Sequence, residues 1–246
     1  MASNNPSTQP WYRRWFDHNY LLLYCHRDHR DAEAQVQLIL DTLTLPPAAA
    51  ILDLGCGEGR HAALFRDRGY RVFGLDLSAD LIKEGRQKYR DLNFIIGDMR
   101  AIPGRFDLIV SLFTSFGYFE GDGENREVLD SVFSSLHAGG IFWLDFLNPH
   151  HVRENLVPET VSCPCPGVRV RERRRITDGR IVKDIYFEND GAEILYVESV
   201  ALYTRKDLES MLLKSGFRVL GSFGNYRGEP WAADSERTIL FARREG

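Results

Sequence analysis

The chain has 246 residues, 43% of them hydrophobic, enough to bury one core with an insertion but not two large domains. Its formal net charge of −4 and pI near 6.0 leave no global basic field for a phosphate backbone, which argues against nucleic acid as a partner. No window approaches the roughly 18 consecutive apolar residues of a membrane helix, no signal-peptide core opens the chain, and four scattered cysteines make no disulfide framework, so a cytoplasmic protein with reduced thiols is expected.

After a polar start, "WYRRWFDHNYLLLYCHRD" is dense in aromatics, and "DAEAQVQLILDTL" spaces Val36, Ile39, Leu40 and Leu43 as a helix face. Two N-terminal helical segments are expected, ended by "LPPAAA". Strand-like and helix-like segments then alternate: "AILDL", a helix from about Arg60 to a stop near Gly69, "RVFGLDL", a helix from about Ala79 capped by Ser78, "NFIIGD", "FDLIVSLF", a helix from about Asn125, and "GIFWLDF". That rhythm implies an α/β fold with a parallel sheet covered on both faces.

The rhythm breaks after Asn148. "GVRVRERRRITDGRIVKDIYFENDGAEILYVESVALY" reads as three β segments separated by the turn sequences "TDG" and "NDG", an antiparallel meander inserted into the parallel design. The α/β pattern resumes with Thr204 capping "RKDLESMLLKSGF" and closes on "RVLGSF" and "RTILFARR". The expected division is a helical lid over 1–47, a core over 48–150 and 200–246, and an inserted β lobe over 151–203 that walls an acceptor pocket or forms a homodimer surface. "CPCP" beside two histidines completes no zinc spacing, and no metal is expected. Arg169, Arg171, Arg173 and Arg175 alternate onto one strand face, which reads as a solvated row paired with acids such as Glu188 or Glu198 rather than as an anion site.

The chemistry concentrates in "ILDLGCGEGRHA". A strand, a glycine turn and a helix present backbone N–H groups to a ligand, but Gly55-Cys56-Gly57-Glu58-Gly59 is not the GxGxxG spacing of a pyrophosphate loop, and Asp53 and Glu58 would repel phosphate. Asp53 suits an ammonium, Asp76 at the next strand end suits two ribose hydroxyls, and Asp98 suits an exocyclic amine with Met99 packed on a ring. An amino acid end, a ribose and an adenine without phosphates describe S-adenosylmethionine.

"ILDLGCGEGRHA", "VFGLDLS", "FIIGDMR" and "FDLIVSLFTSFGYF" resemble the successive motifs of class I S-adenosylmethionine-dependent methyltransferases, closely over 48 to about 150 and loosely at the C-terminal end. The resemblance implies a Rossmann-like, doubly wound seven-stranded sheet whose last strand is antiparallel. It implies further that Asp53, Gly55, Cys56 and Gly57 hold the methionine end, Asp76 and Leu77 the ribose, and Asp98 and Met99 the adenine, with the backbone around Ser111, Leu112 and Phe113 near the sulfonium. It suggests Tyr24 and Arg27 as lid residues over the cofactor.

The acceptor would approach over the ends of "FDLIVSLFTSFGYF" and "FWLDFLN", where Phe116, Tyr118, Asp145 and Asn148 fall; Asp145 and Tyr118 are the catalytic candidates. "TSFGYF" lacks the [DNS]PP[YFW] signature of nucleic-acid amino-methyltransferases. A small-molecule methyltransferase with a nitrogen or oxygen acceptor is the reading favoured. The rivals are a nicotinamide-dependent oxidoreductase or epimerase and a non-catalytic cofactor-binding regulator.

Overall fold

The computed structural model describes residues 9–24, 29–189 and 192–246. Seven strands form one sheet in the order β10-β11-β5-β4-β1-β2-β3, from β1 (Ala50–Leu54), β2 (Arg71–Asp76), β3 (Asn93–Ile96), β4 (Phe106–Ser111), β5 (Leu136–Leu147), β10 (Phe217–Phe223) and β11 (Arg237–Arg244). Only β11 runs antiparallel to its neighbours, β5 and β10. All five residues of β1 are buried, as its unbroken apolar run requires of a central parallel strand.

The helices cover both faces. α4 (Arg60–Arg66) and α5 (Ala79–Lys88) follow β1 and β2, α6 (Asp122–Ser135) follows β4, and α8 (Arg205–Lys214) follows the insertion. Ser78 caps α5 by accepting from the Leu81 N–H, and Thr204 with Asp207 makes a reciprocal capping box on α8. One apolar cluster centres on Leu52, Ile109 and Phe142, and the other, on the opposite face, on Ile51, Phe65 and Trp143. Because β1 leads outward through β2 and β3 while β4 leads the other way, the crevice beyond the carboxyl ends of β1 and β4 is the topological switch point.

The aromatic N-terminal stretch forms α1 (Trp11–Arg14) and α2 (His18–Leu23), and α3 (His29–Thr42) follows, three helices where the pattern suggested two. A break at Asp17 separates the first two; its carboxylate caps α2 by accepting from the Asn19 and Tyr20 N–H groups.

After α7 (Pro149–Glu154), the insertion is a four-stranded antiparallel sheet, β6 (Glu159–Cys165), β7 (Val168–Thr177), β8 (Arg180–Asn189) and β9 (Ala192–Ala201). The strand missed from sequence, β6, is an edge strand carrying Pro164, a residue tolerated at an edge and misleading elsewhere. One face of this sheet packs Val170, Ile185, Phe187 and Tyr196 against Trp15, Leu23 and Tyr20 of the N-terminal segment. The other face carries the arginine row. Arg173 pairs with Glu159, Arg175 with Asp184 and Arg171 with Glu193, a solvated ladder with partners other than those expected. Glu198 is turned inward instead, and Tyr186 lies under Arg171 on the outer face.

Candidate functional site

At the switch point lies a cavity of about 550 Å³, floored by the glycine loop and strand ends and roofed by α1, α2 and the segment after β4. Asp53, Gly55, Cys56, Gly57, Asp76, Leu77, Asp98, Met99 and Leu112 all line it, with Tyr24 and Tyr118. Ser111 does not line it; it is 2% exposed inside β4. Arg27 lies outside the described residues.

The loop after β1 is tied to the end of β2. The Gly55 and Cys56 N–H groups donate to the Leu75 carbonyl at 2.8 and 3.1 Å, and Gly57 N–H donates to Asp76 Oδ2 at 2.8 Å. Gly55 and Gly57 hold φ of +75° and +56°, a region that penalises any side chain, and a Cβ at Gly55 would stand 2.7 Å from Ser115 Cβ. The loop therefore brings bare backbone to the ligand. Cys56 turns its sulfur under Gly74, and burial pushes its thiol pKa up, so it is inert packing.

The three carboxylates differ in state. Asp53 is 1% exposed, and burial is the main cause of a pKa raised to about 7, against which the Ala62 backbone N–H works. Its Oδ2 has no hydrogen-bond partner. Burial also raises the Asp76 pKa against the backbone N–H groups of Ser78, Gly57 and Leu77; Oδ1 accepts from Ser78 N–H and Oδ2 from Gly57 N–H, and the residue lines the cavity. Asp98 is held below the ordinary carboxylate range by hydrogen bonds from Arg100, whose guanidinium also reaches Glu124.

These features fit the cofactor inferred from sequence. An orphaned buried acceptor suits an ammonium, glycine backbone in the floor allows close approach, and Asp76 keeps acceptor capacity for hydroxyls.

Asp145 is a correction. It is 1% exposed, lies outside the cavity lining, and accepts from Arg237 Nε at 2.8 Å, Tyr226 OH at 3.0 Å and Phe113 N–H at 2.9 Å. Arg237 also donates to Thr114 Oγ1 at 2.8 Å. The carboxylate is fully engaged in holding the turn after β4, where Phe113 and Thr114 both adopt positive φ (55° and 65°), a strained pair that needs such support. Phe116, 1% exposed, is core, and Asn148 donates to the Ala233 and Ser235 carbonyls; neither lines the cavity.

Residues that sequence reasoning did not name complete the walls: Tyr12, Phe16, His18, His61, Ser115 and Phe119. Phe16 stacks on Tyr118 at 5.7 Å, and Trp11 meets the same ring edge-on at 5.0 Å. The density of aromatics in "WYRRWF" was the available signal.

Both walls are gripped by the β lobe. Arg180, at the start of β8, donates to the carbonyls of Gly117, Tyr118 and Phe119 at 3.0–3.1 Å and to Ser199 O and Oγ at 2.8 and 2.7 Å. Lys183 donates to Tyr24 OH at 2.8 Å and pairs with Glu198 at 2.6 Å and Glu172 at 3.3 Å. Burial works against the Lys183 charge, but Glu198, Tyr24 and Glu172 outweigh it and hold its pKa above the ordinary value. Glu198 also accepts from Trp15 Nε1 at 2.5 Å, while Tyr196 OH donates to Asp17 at 2.7 Å. The N-terminal helices are thus pinned between lobe and core, where Ser78 Oγ donates to the Phe16 carbonyl at 2.5 Å.

Residues 51–140 match the family model described as a methyltransferase domain. The chain is 32% identical over 126 residues to a dTDP-3-amino-3,4,6-trideoxy-alpha-D-glucopyranose N,N-dimethyltransferase of Streptomyces venezuelae, covering 50% of this chain and 53% of that one. It therefore spans about half the length of that relative. It is 25% identical over 223 residues to a glycine/sarcosine N-methyltransferase of Halorhodospira halochloris, covering 87% and 82% of the two chains. An S-adenosylmethionine-dependent methyltransferase structure from Clostridium acetobutylicum superposes with a TM-score of 0.79 at 19% identity, over 93% of this chain and 97% of that one, a likeness of fold. Among the described residues no helix is long and apolar enough to cross a membrane, and no cluster of metal-ligating side chains is found. With the glycine loop and strand-end carboxylates that floor its cavity, this match shows a methyltransferase domain over residues 51–140 that is similar to the class I S-adenosylmethionine-dependent methyltransferases.

Proposed function

We propose that this protein transfers the methyl group of S-adenosylmethionine to the nitrogen of a small-molecule amine. The observation that carries the reading is the composition of the cavity at the switch point: acids and glycine backbone on the floor, and the rings of Phe16, Tyr20, Tyr118 and Phe119 on the roof. An amine suits such a roof, because ring faces attract the positive charge that develops on nitrogen as it is alkylated. Both relatives described above carry N-methyltransferase names, which supports nitrogen over oxygen.

When bound, the cofactor supplies a methyl carbon already activated by a sulfonium, so the protein's part is to orient and to exclude water. Asp53 would hold the ammonium, Asp76 with Leu77 the ribose, and Asp98 with Met99 the adenine. Tyr24, Tyr20 and Phe16 close the roof from α2 and the turn before it. Asp145 is committed to Arg237 and Tyr226 and is not available as a base; an amine that arrives unprotonated needs none. Tyr118 belongs to the acceptor wall in this reading. The β lobe acts as the strut that fixes both roof elements, extending the role assigned to residues 151–203 from sequence.

The test is release of S-adenosylhomocysteine from purified protein offered paired acceptors, amino sugars or amino acids against their hydroxyl counterparts. Turnover with amines and none with the hydroxyl partners supports the proposal; turnover with hydroxyl partners alone overturns the choice of nitrogen.

A further inference from the structure

We propose that His61 is a ligand-binding residue, its imidazole pairing with the carboxylate of the cofactor's amino acid end while Asp53 takes the ammonium. The inference rests on the S-adenosylmethionine reading above and extends it to a residue that lies outside the glycine loop.

His61 is the second residue of α4, beside Ala62, whose N–H bonds to Asp53. It is 7% exposed and lines the cavity. Among the described residues, buried side-chain nitrogens or oxygens without a hydrogen-bond partner occur on six residues, and of these only Asp53 and His61 line the cavity. Asp53 contributes Oδ2 and His61 contributes Nε2.

Buried polar atoms are almost always partnered, so two orphans in one cavity wall mark the place where a ligand completes the set. Burial, with a smaller effect from Arg60, lowers the His61 pKa to about 3, so the ring is neutral at ordinary pH and carries one N–H donor and one acceptor. Asp53 offers an acceptor. A zwitterionic α-amino acid group brings both an ammonium for the carboxylate and a carboxylate for the N–H. A lone ammonium, which has no acceptor, would satisfy the carboxylate and strand the ring N–H.

The test compares two probes, S-adenosylhomocysteine and 5′-methylthioadenosine, which share the adenosine and thioether but differ in the amino acid end. Calorimetry on the intact chain should show His61→Phe binding S-adenosylhomocysteine at least about tenfold more weakly, with 5′-methylthioadenosine changed by less than about twofold. The ligand-free His61→Phe protein should melt at or above the parent, because an apolar ring replaces an orphaned nitrogen. His61→Asn, which keeps a donor, should fall between the two on the first probe and decides the matter if the phenylalanine variant does not fold. Equal weakening of both probes, or unchanged affinity for S-adenosylhomocysteine, overturns the proposal. A parent protein that binds neither probe overturns the cofactor reading and this inference with it.

Discussion

Asp145→Asn separates a structural carboxylate from a catalytic one. The substitution keeps the shape and removes the charge that neutralises Arg237, a guanidinium 2.8 Å away in a site where the carboxyl partner is 1% exposed. Breaking a buried, hydrogen-bonded ion pair by removing one partner costs about 3–5 kcal/mol. At about 2–4 °C per kcal/mol for a chain of this size, that is a fall of roughly 6–20 °C in melting temperature. The amide has one acceptor oxygen where the carboxylate has two, so it cannot serve Arg237 Nε and the Phe113 and Tyr226 donors together, and the positive-φ turn at Phe113 and Thr114, next to Ser115 and Gly55, loses part of its support. Cofactor affinity should therefore drop together with stability. Urea denaturation and thermal melting of Asp145→Asn, Arg237→Met and the double variant make a cycle, and the double variant should be less destabilised than the sum, because it leaves no unpaired charge. If Asp145→Asn melts within about 2 °C of the parent, a loss of less than about 1 kcal/mol, the reasoning is wrong and the carboxylate is free for another role.

Four further outcomes are expected. Gly55→Ala meets Ser115 Cβ at 2.7 Å and places an alanine at φ +75°, a conformation costing about 1–2 kcal/mol, so S-adenosylhomocysteine affinity should fall about tenfold or more; adding Ser115→Gly should recover the contact part and not the backbone part, as titration of both variants will show. Because burial raises the Asp53 pKa to about 7, protonation competes with ammonium binding: affinity should be flat above about pH 7.5 and fall up to about tenfold per unit below about pH 7, and Asp53→Asn should abolish the slope. The same shift makes ligand-free stability decline as pH rises from about 4 to 7, since the folded state binds the extra proton. Arg180→Ala removes a donor from each of the Gly117, Tyr118 and Phe119 carbonyls, of which Gly117 keeps the Ala201 N–H and Phe119 keeps Asn125 Nδ2, and should cost about 1–3 kcal/mol in urea denaturation, with Arg180→Lys restoring little because an ammonium lacks the planar fork; a lysine variant as stable as the parent would contradict the clamp.

The parallel core was legible because its signals are local. "AILDL" and "RVFGLDL" are continuous apolar runs that only a doubly covered strand tolerates, and Ser78, Gly69 and Thr204 fall at helix boundaries through their own backbone chemistry. Asp53, Asp76 and Asp98 were legible for the same reason: each lies at or just beyond the carboxyl end of a strand. What could not be read was partnership between distant segments. Asp145 looked available because Arg237 and Tyr226 lie 92 and 81 residues away in sequence, and only the pairing of β5 with β11 brings them to it. The joining of lid and lobe through Trp15, Tyr24, Lys183 and Glu198 is likewise a tertiary fact, and no spacing in "WYRRWFDHNY" announces it. β6 was hidden by Pro164 and by an edge position that buries little.

The cavity at the switch point is built for an adenosyl amino acid and not for a dinucleotide. Calorimetric titration with S-adenosylmethionine, and separately with NAD⁺, tests it most directly. One-to-one micromolar binding of S-adenosylmethionine is expected and none of NAD⁺, whose pyrophosphate would face Asp53, Glu58 and Asp76. Binding of NAD⁺ with no binding of S-adenosylmethionine would contradict it.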